Sequence, residues 1–350
     1  MSETLRGLAV TGARVSFGSR PGLDNITLHV ERGERVALLG PSGVGKTSFL
    51  RAIAGLGGLA AGAVSVDGRN VTAAPPERRG IVYMHQAPSL FPHLTVLDNV
   101  AFPMEVRGTP RAAARVRAGD IIDRVQLGPL ALRSPTTLSA GQRHRAALAR
   151  ALAAEPSVLL LDEPFSSLDP ELRGEVRNAV LELLGERTGP AVVLVTHDVD
   201  EAAGLADRFV VLLNGRIAQS GPPTALLVAP RSLMVARFLG LPNLVRGSRD
   251  TRGLITCALG CFQEAGVAGP VTVTVRAGAV RARVPRGRGV TGKVIGILER
   301  VTGTAIRVDV AGEELLAVPD HDLEPSVGAE VELQVDASSI HVIEGEAGDS

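Results

Sequence analysis

The sequence is short of several things, and each shortage excludes something. Of 350 residues none is tryptophan, one is tyrosine (Tyr83) and eight are phenylalanine. That leaves too few rings for a platform on which nucleic-acid bases stack. Excess charge of either sign is also missing, because 37 basic residues meet 37 acidic ones. A net charge of zero argues against a chain held to nucleic acid by bulk positive charge. Lysine is nearly absent: Lys46 and Lys293 stand against 35 arginines. Where arginine is so strongly favoured, each lysine is a place to look for a reason. The two cysteines, Cys257 and Cys261, are too few for a disulfide framework, and their i,i+4 spacing fits no CxxC motif. Reduced, half-buried thiols of a cytosolic protein are expected. Apolar runs stop at four or five residues, as in Ala191–Val195 and Phe209–Leu213. A membrane span needs about 18, so none is expected. The N-terminus, MSETLRGLAV, shows no charged-then-apolar signal pattern.

What is present divides in two. At roughly 150 residues per domain the length suits two domains. The first 240 residues read as α/β. Val36–Leu39, Val158–Leu161 and Ala191–Val195 are continuous apolar runs, which suit parallel strands buried on both faces. Asp67-Gly68 and Asn214-Gly215 follow strand-like runs and predict hairpins. From about Leu241 the pattern changes to strict alternation: Val271–Val275, Ile306–Val310 and Val331–Val335. That predicts half-buried strands of an antiparallel sheet or small barrel over 241–350.

The chemistry sits where apolar strands end. Gly40-Pro-Ser42-Gly43-Val-Gly45-Lys46-Thr47 fits G-x-x-x-x-G-K-[ST] at every fixed position. An apolar strand precedes it, and a helix-like run, Ser48–Ala54, follows. Glycines let backbone N–H groups turn inward around phosphate oxygens, and the helix N-terminus adds partial positive charge. Lys46 is placed to reach the β- and γ-phosphates, and the Thr47 hydroxyl to bind Mg²⁺. Lys46 thereby acquires a reason: the loop takes a compact ammonium where a planar guanidinium is too broad. A second strand, Val158–Leu161, ends in Asp162-Glu163. After such a loop, an Asp there holds Mg²⁺, and the neighbouring Glu is placed to polarise a water as general base. A third, Ala191–Val195, ends in Thr196-His197-Asp198. Open α/β sheets bind ligands at these carboxyl ends. The plainer readings are a glycine-rich turn, two solvated acids and a core histidine.

Leu138-Ser139-Ala140-Gly141-Gln142 lies 20 residues before Asp162 and resembles the LSGGQ signature of ATP-binding cassette (ABC) ATPases. By the same resemblance Gln86 stands as the glutamine loop, Ser167-Leu168-Asp169 as the aspartate loop, and His197 as the switch histidine. Six motifs run in the family's order between 40 and 197. The resemblance covers residues 1–237 and implies a P-loop NTPase fold with a mixed sheet and a helical subdomain at about 88–155. It implies ATP and Mg²⁺ as cofactors, with Gln86 joining Thr47 and Asp162 at the metal. Ser48 completes the phosphate set, and Phe17 stands where an aromatic stacks on adenine. Glu163, His197 and Gln86 become the candidate catalytic residues, and Asp169 a dimer-communication residue. Ser139–Gln142 would contact ATP held by the opposite subunit, so a chain with one cassette is expected to work as a homodimer. Ser139 with Gln142 at the third helical position is also a capping-box pattern in its own right. The departures are Ala140 for a glycine, His144 for a glutamine and His85 for an aromatic.

The stretches Tyr83–Thr95 and Phe238–Gly247 are similar to the importer branch. It includes importers for iron(III), sulfate, molybdate, polyamines, phosphonates and sugars. That similarity implies a small OB-like (TOBE/MOP-like) regulatory domain over 241–350. It implies integral-membrane permease partners, an extracytoplasmic solute-binding protein, and a place on the cytoplasmic face of the membrane. A nucleic-acid partner is not expected. Two rival functions stay open: a soluble ABC ATPase acting on nucleic acid or ribosomes, and an oxoanion-sensing regulator. The cluster Arg276, Arg281, Arg283, Arg286 and Arg288 reads as a solvated strand face rather than an anion patch.

Overall fold

A computed structural model of the chain describes residues 6–344, apart from 18–19, 88, 167, 186–188, 288 and 301–302. The chain divides between Pro223 and Thr224 into two units.

In the first unit, β1 (Gly7–Phe17), β2 (Arg20–Glu31), β4 (Ala61–Val66) and β5 (Arg69–Asn70) form an antiparallel sheet in the order β2-β1-β4-β5. Between β2 and β4 the chain supplies β3 (Arg35–Leu39) and α1 (Lys46–Ala54). The apolar runs become β3, β7 (Val158–Asp162) and β8 (Ala191–Val195), and they lie parallel and side by side. Every residue of β7 and β8 is buried. Runs without alternation suit this position, since both faces are covered. β6 (Ile81–Met84), β9 (Arg208–Leu213) and β10 (Arg216–Gly221) complete a sheet ordered β10-β9-β3-β8-β7-β6 among the described residues. Both predicted hairpins form. Asp67 and Gly68 (φ 48° and 76°), then Asn214 and Gly215 (φ 50° and 75°), take the left-handed turn conformation.

α1 carries the P-loop, and it is held firmly. Phe49, Leu50 and Ile53 share one core with Leu8 and Val64 of the antiparallel sheet and Val36 and Val193 of the parallel one. Its C-terminal end is closed by a buried cation. Arg79 donates from Nη1 to Ile53 O (2.7 Å) and Ala52 O (3.2 Å), from Nε to Ala74 O (2.9 Å) and from Nη2 to Thr72 O (2.8 Å). Gly55 ends the helix at φ 82°, where an added Cβ would sit 2.6 Å from Arg79 Nε. Arg79→Met would leave those carbonyls without their donor, at about 1–3 kcal/mol for each that stays buried and dry. With water reaching some of them, a net loss of about 3 kcal/mol is expected, read by denaturant unfolding.

Between β6 and β7 the described chain is helix and turn: α2 (Val96–Val106), α3 (Arg111–Arg124) and α4 (Ala140–Ala153), with α2 packed on α3 and α4. α5 (Pro170–Leu184) joins β7 to β8, and α6 (Val199–Ala203) joins β8 to β9.

α7 (Pro223–Val228) starts at the division, and α8 (Leu233–Phe238) follows in the second unit. An antiparallel sheet follows from β11 (Asn243–Arg249), β12 (Leu254–Cys257), β13 (Gly260–Gln263), β14 (Gly269–Val275) and the last strand, β20 (Ile340–Glu344). Between β14 and β20 lie β15 (Val280–Arg283), β16 (Val290–Arg300), β17 (Gly303–Val310), β18 (Glu313–Pro319) and β19 (Glu330–Val335). These five close into a barrel in the order β15-β18-β17-β16-β19, with β15 and β18 the parallel pair. A closed five-stranded barrel is the OB-like architecture expected of this region.

Here alternation misjudged burial. Thr272, Thr274 and Glu332 stand at the polar positions of their strands, yet all three are buried, Glu332 completely. β14 lies between β11 and β20, and β19 between β15 and β16, so neither is an edge strand. Glu332 accepts from Arg283 Nε (3.1 Å) and Arg286 N (2.7 Å). The arginine cluster is thus only partly a solvated face: Arg281 pairs with Asp320, Arg283 with Glu332 and Arg286 with Asp322. Arg276 is exposed, and Arg288 lies outside the described residues. Both cysteines are free thiols, but only Cys257 is half-buried; Cys261 is exposed. The i,i+4 spacing spans the β12–β13 hairpin, where Cys261 faces Thr256 on the neighbouring strand. Among the described residues no helix is long and apolar enough to cross a membrane.

Candidate functional site

The P-loop leaves β3 at Leu39 and enters α1 at Lys46. Gly43 and Gly45 hold φ of 81° and 109°, backbone that other residues reach only with strain. A Cβ on Gly43 would meet open space, whereas one on Gly40 would lie 2.7 Å from Leu212 O. The loop is therefore tight at its base and open above. Ser42 is exposed, and Ser48 sits half-buried in the first turn of α1.

Lys46 is 6% exposed. Its Nζ donates to Gly40 O (2.6 Å) and Pro41 O (3.0 Å), curling the side chain under the loop. Burial pulls its pKa down, while the charges of Glu163 and Asp162 push it back up. Asp162, which ends β7, and Glu163 just after it therefore lie close enough to feel the ammonium.

Asp162 is 5% exposed. Thr47 Oγ1 donates to its Oδ1 at 2.9 Å, and the Tyr83 hydroxyl donates to its Oδ2 at 2.7 Å. Thr47 and Asp162, predicted from separate motifs 115 residues apart, are in direct contact. A carboxylate and a hydroxyl beside an open phosphate cradle are hard oxygen donors, the set that suits Mg²⁺ with nucleotide phosphates as its remaining partners.

Glu163 takes φ 46°, and its N–H donates to Val195 O at 2.9 Å. His197 Nδ1 stands 3.7 Å from Glu163 Oε1. The turn bearing His197 is braced on both sides. Thr196 Oγ1 donates to Glu201 Oε2 (2.5 Å), and Asp198 Oδ1 accepts from Glu201 N (2.9 Å), capping α6. Burial raises the pKa of Glu201, which sits within this brace.

Other predicted residues lie apart from this cluster. The Gln86 amide donates to Ser166 Oγ at 2.8 Å and makes no hydrogen bond to Thr47 or Asp162. Asp169 is exposed at the N-cap of α5, without a side-chain capping bond. Phe17 ends β1, but its side chain lies outside the described residues, as does Ser167. In the signature turn the capping box forms: Ser139 Oγ accepts from Gln142 N (3.2 Å), and Gln142 Oε1 accepts from Ser139 N (3.0 Å). Ala140 and Gly141 follow as the first helical residues of α4.

Two residues here went unassigned in the sequence. Tyr83 bonds Asp162, and the signal was its singularity, since the chain has one tyrosine. His144, noted only as a departure, is buried on α4 and bonds the Gln86 carbonyl through Nε2 at 3.2 Å. It ties the signature helix to the glutamine loop. Burial lowers its pKa, so the neutral ring is favoured there.

A glycine loop between a buried parallel strand and a helix, with an Asp–Glu pair at the end of another strand of the same sheet, defines a P-loop nucleoside triphosphatase. A profile of the ABC transporter family matches residues 23–166. An Fe(3+) ions import ATP-binding protein of Streptomyces coelicolor is 41% identical over 340 residues, covering 97% of each chain. A sulfate/thiosulfate import ATP-binding protein of Burkholderia pseudomallei is 40% identical over 329 residues, 90% of this chain and 92% of that one. Another, from Mycobacterium bovis, is 45% identical over 241 residues, 69% and 68% of the two chains. The chain belongs to the ABC transporter family, as an ATP-binding subunit that hydrolyses ATP.

Proposed function

We propose that this chain powers an importer from the cytoplasmic face of the membrane, as a homodimer beneath integral-membrane permease subunits served by an extracytoplasmic solute-binding protein. The observation that carries this reading is the end-to-end match to an Fe(3+) import ATP-binding protein, over 97% of both chains. In this reading the nucleotide-binding domain takes residues 1–240, with a helical subdomain at about 88–155, and the regulatory domain 241–350; that boundary follows the change of strand pattern, while the compact units divide earlier, after Pro223.

Each chain has one P-loop and one signature turn, so two copies facing head to tail place Ser139–Gln142 of each against ATP on the other. Lys46 and the loop's N–H groups hold the phosphates. Thr47, Asp162 and Gln86 would hold Mg²⁺, which neutralises phosphate charge. Glu163 orients the attacking water and takes its proton. His197, beside Glu163, supports the developing charge, and Asp169 links the two halves. A cavity of about 270 Å³ supports passage of the motion to a permease segment. It is bounded by Tyr83 of β6, His85 just after that strand, Pro103 of α2 and Arg150 of α4.

The test is the assembled complex in vesicles, with iron(III), sulfate, thiosulfate, molybdate, polyamines, phosphonates and sugars screened for stimulated ATPase. One solute class is expected to raise the rate several-fold, and DNA or RNA to leave it unchanged. Salt-sensitive stimulation by nucleic acid would favour the rival soluble ATPase instead.

A further inference from the structure

The single tyrosine of the chain lies at the one carboxylate already placed beside the P-loop threonine. The register explains its reach. β6 and β7 run parallel with Tyr83 opposite Leu160, and Asp162 is two residues further along β7, on the same face as Leu160. A phenol is long enough to span that offset; a shorter polar side chain is not. His85 packs edge-on against the Tyr83 ring, centroids 4.5 Å apart, and steadies it.

The two grips on Asp162 differ in kind. Thr47 belongs to the P-loop and donates to Oδ1. Tyr83 comes from β6 and donates to the other oxygen, Oδ2, its one hydrogen-bond partner among the described residues. A carboxylate held at one oxygen only can rotate and offer either oxygen to a cation. Held at Oδ2 by a rigid ring, it keeps Oδ1 on the Thr47 side.

We propose that Tyr83 is a positioning residue for the metal: its bond to Oδ2 fixes the Asp162 carboxylate so that Oδ1 and Thr47 Oγ1 receive Mg²⁺ together. This rests on the reading of Thr47 and Asp162 as the Mg²⁺ holders. It is distinct from catalysis, since Tyr83 acts through the Asp162 carboxylate that it bonds.

The variant Tyr83→Phe keeps the ring and removes one oxygen. Metal binding is followed on the full chain with Mn²⁺ as probe, by electron paramagnetic resonance in the presence of ADP. Losing such an outer partner typically weakens metal binding 10–100-fold, and about tenfold is expected here. ADP affinity without metal and the melting temperature should stay at wild-type values. Thr47→Ala, run alongside, separates the two readings. If it leaves Mn²⁺ binding intact, the metal assignment fails and this proposal with it. If it weakens binding while Tyr83→Phe does not, only the Tyr83 role is overturned. Should Tyr83→Phe fail to fold, the wild-type chain still decides, because without tryptophan its one tyrosine is a reporter at the site. Mg²⁺ added to the ADP-bound protein should draw the carboxylate's charge away from the phenol and change its fluorescence. Emission that stays flat through the titration overturns the proposal.

Discussion

Glu163→Gln is expected to cut ATP turnover about a thousandfold, the middle of the range for a lost general base. ATP binding should survive, so a nucleotide-bound dimer should accumulate. The structure says why the two effects separate. The Glu163 backbone is locked at φ 46° by its bond to Val195 O, independently of the side chain. Left-handed backbone at a non-glycine residue costs about 1–3 kcal/mol, which the buried sheet around it must offset. That cost is met in order to aim one carboxylate at the space above the P-loop, with His197 Nδ1 3.7 Å away. Glutamine has the same shape and tolerates the same aim, but it cannot take a proton. Lys46, Thr47 and Asp162 are untouched, so the phosphate cradle persists. Single-turnover hydrolysis and sedimentation with ATP check both halves. A variant that hydrolyses ATP at the wild-type rate removes Glu163 from the base role.

The parallel sheet was legible because covering both faces leaves one simple trace, a run without polar residues. The P-loop was legible because its glycines, its lysine and its threonine are each required at fixed spacing by phosphate geometry. The barrel was legible in outline only. Alternation marked β14, β17 and β19 as strands but predicted that Thr272, Thr274 and Glu332 would face water, and they do not. What buries Glu332 is a guanidinium and an amide from the segment around β15, about 46–49 residues earlier. Period-two reasoning sees the strand itself and not a partner so distant in sequence.

Contacts between motifs were the other blind spot. Spacing assigned Thr47 and Asp162 separately to one metal, and the structure puts them 2.9 Å apart. Spacing gave no sign that Arg79 would cap the helix carrying the P-loop, because such a cap needs one long donor and no pattern. Nor did it show that His144, one substitution in the signature helix, would reach the Gln86 carbonyl. Gln86 itself bonds Ser166 here, so its proposed place at the metal requires the glutamine loop to shift when nucleotide binds.

Lys46→Arg should weaken ATP binding about a hundredfold although charge is conserved, or roughly 2.8 kcal/mol at 1.4 kcal/mol per tenfold. The ammonium has three N–H bonds, and two of them stitch it to Gly40 O and Pro41 O beneath the loop. A guanidinium is planar and wider, and the base of the loop cannot open for it, since Gly40 already lies against Leu212 O. Arginine must then sit outside the loop or push it apart. The second lysine provides the contrast. Lys293 is exposed on β16, in register with Asp309 on one side and Glu330 on the other, and nothing in the structure explains a lysine there. Lys293→Arg should change stability by less than about 0.5 kcal/mol, as for surface substitutions generally. A pH series adds an independent arm. Burial lowers the Lys46 pKa, and bound phosphates would favour the charged form again. Binding should therefore take up protons on the alkaline side, and affinity should fall as pH rises through the lowered pKa. Arginine does not deprotonate in that range, so in Lys46→Arg the alkaline fall should disappear along with most of the affinity. Calorimetry in buffers of different ionisation enthalpy reads both. If Lys46→Arg binds ATP like wild type with the alkaline fall intact, the loop does not require an ammonium, and the rarity of lysine in this chain says nothing about residue 46.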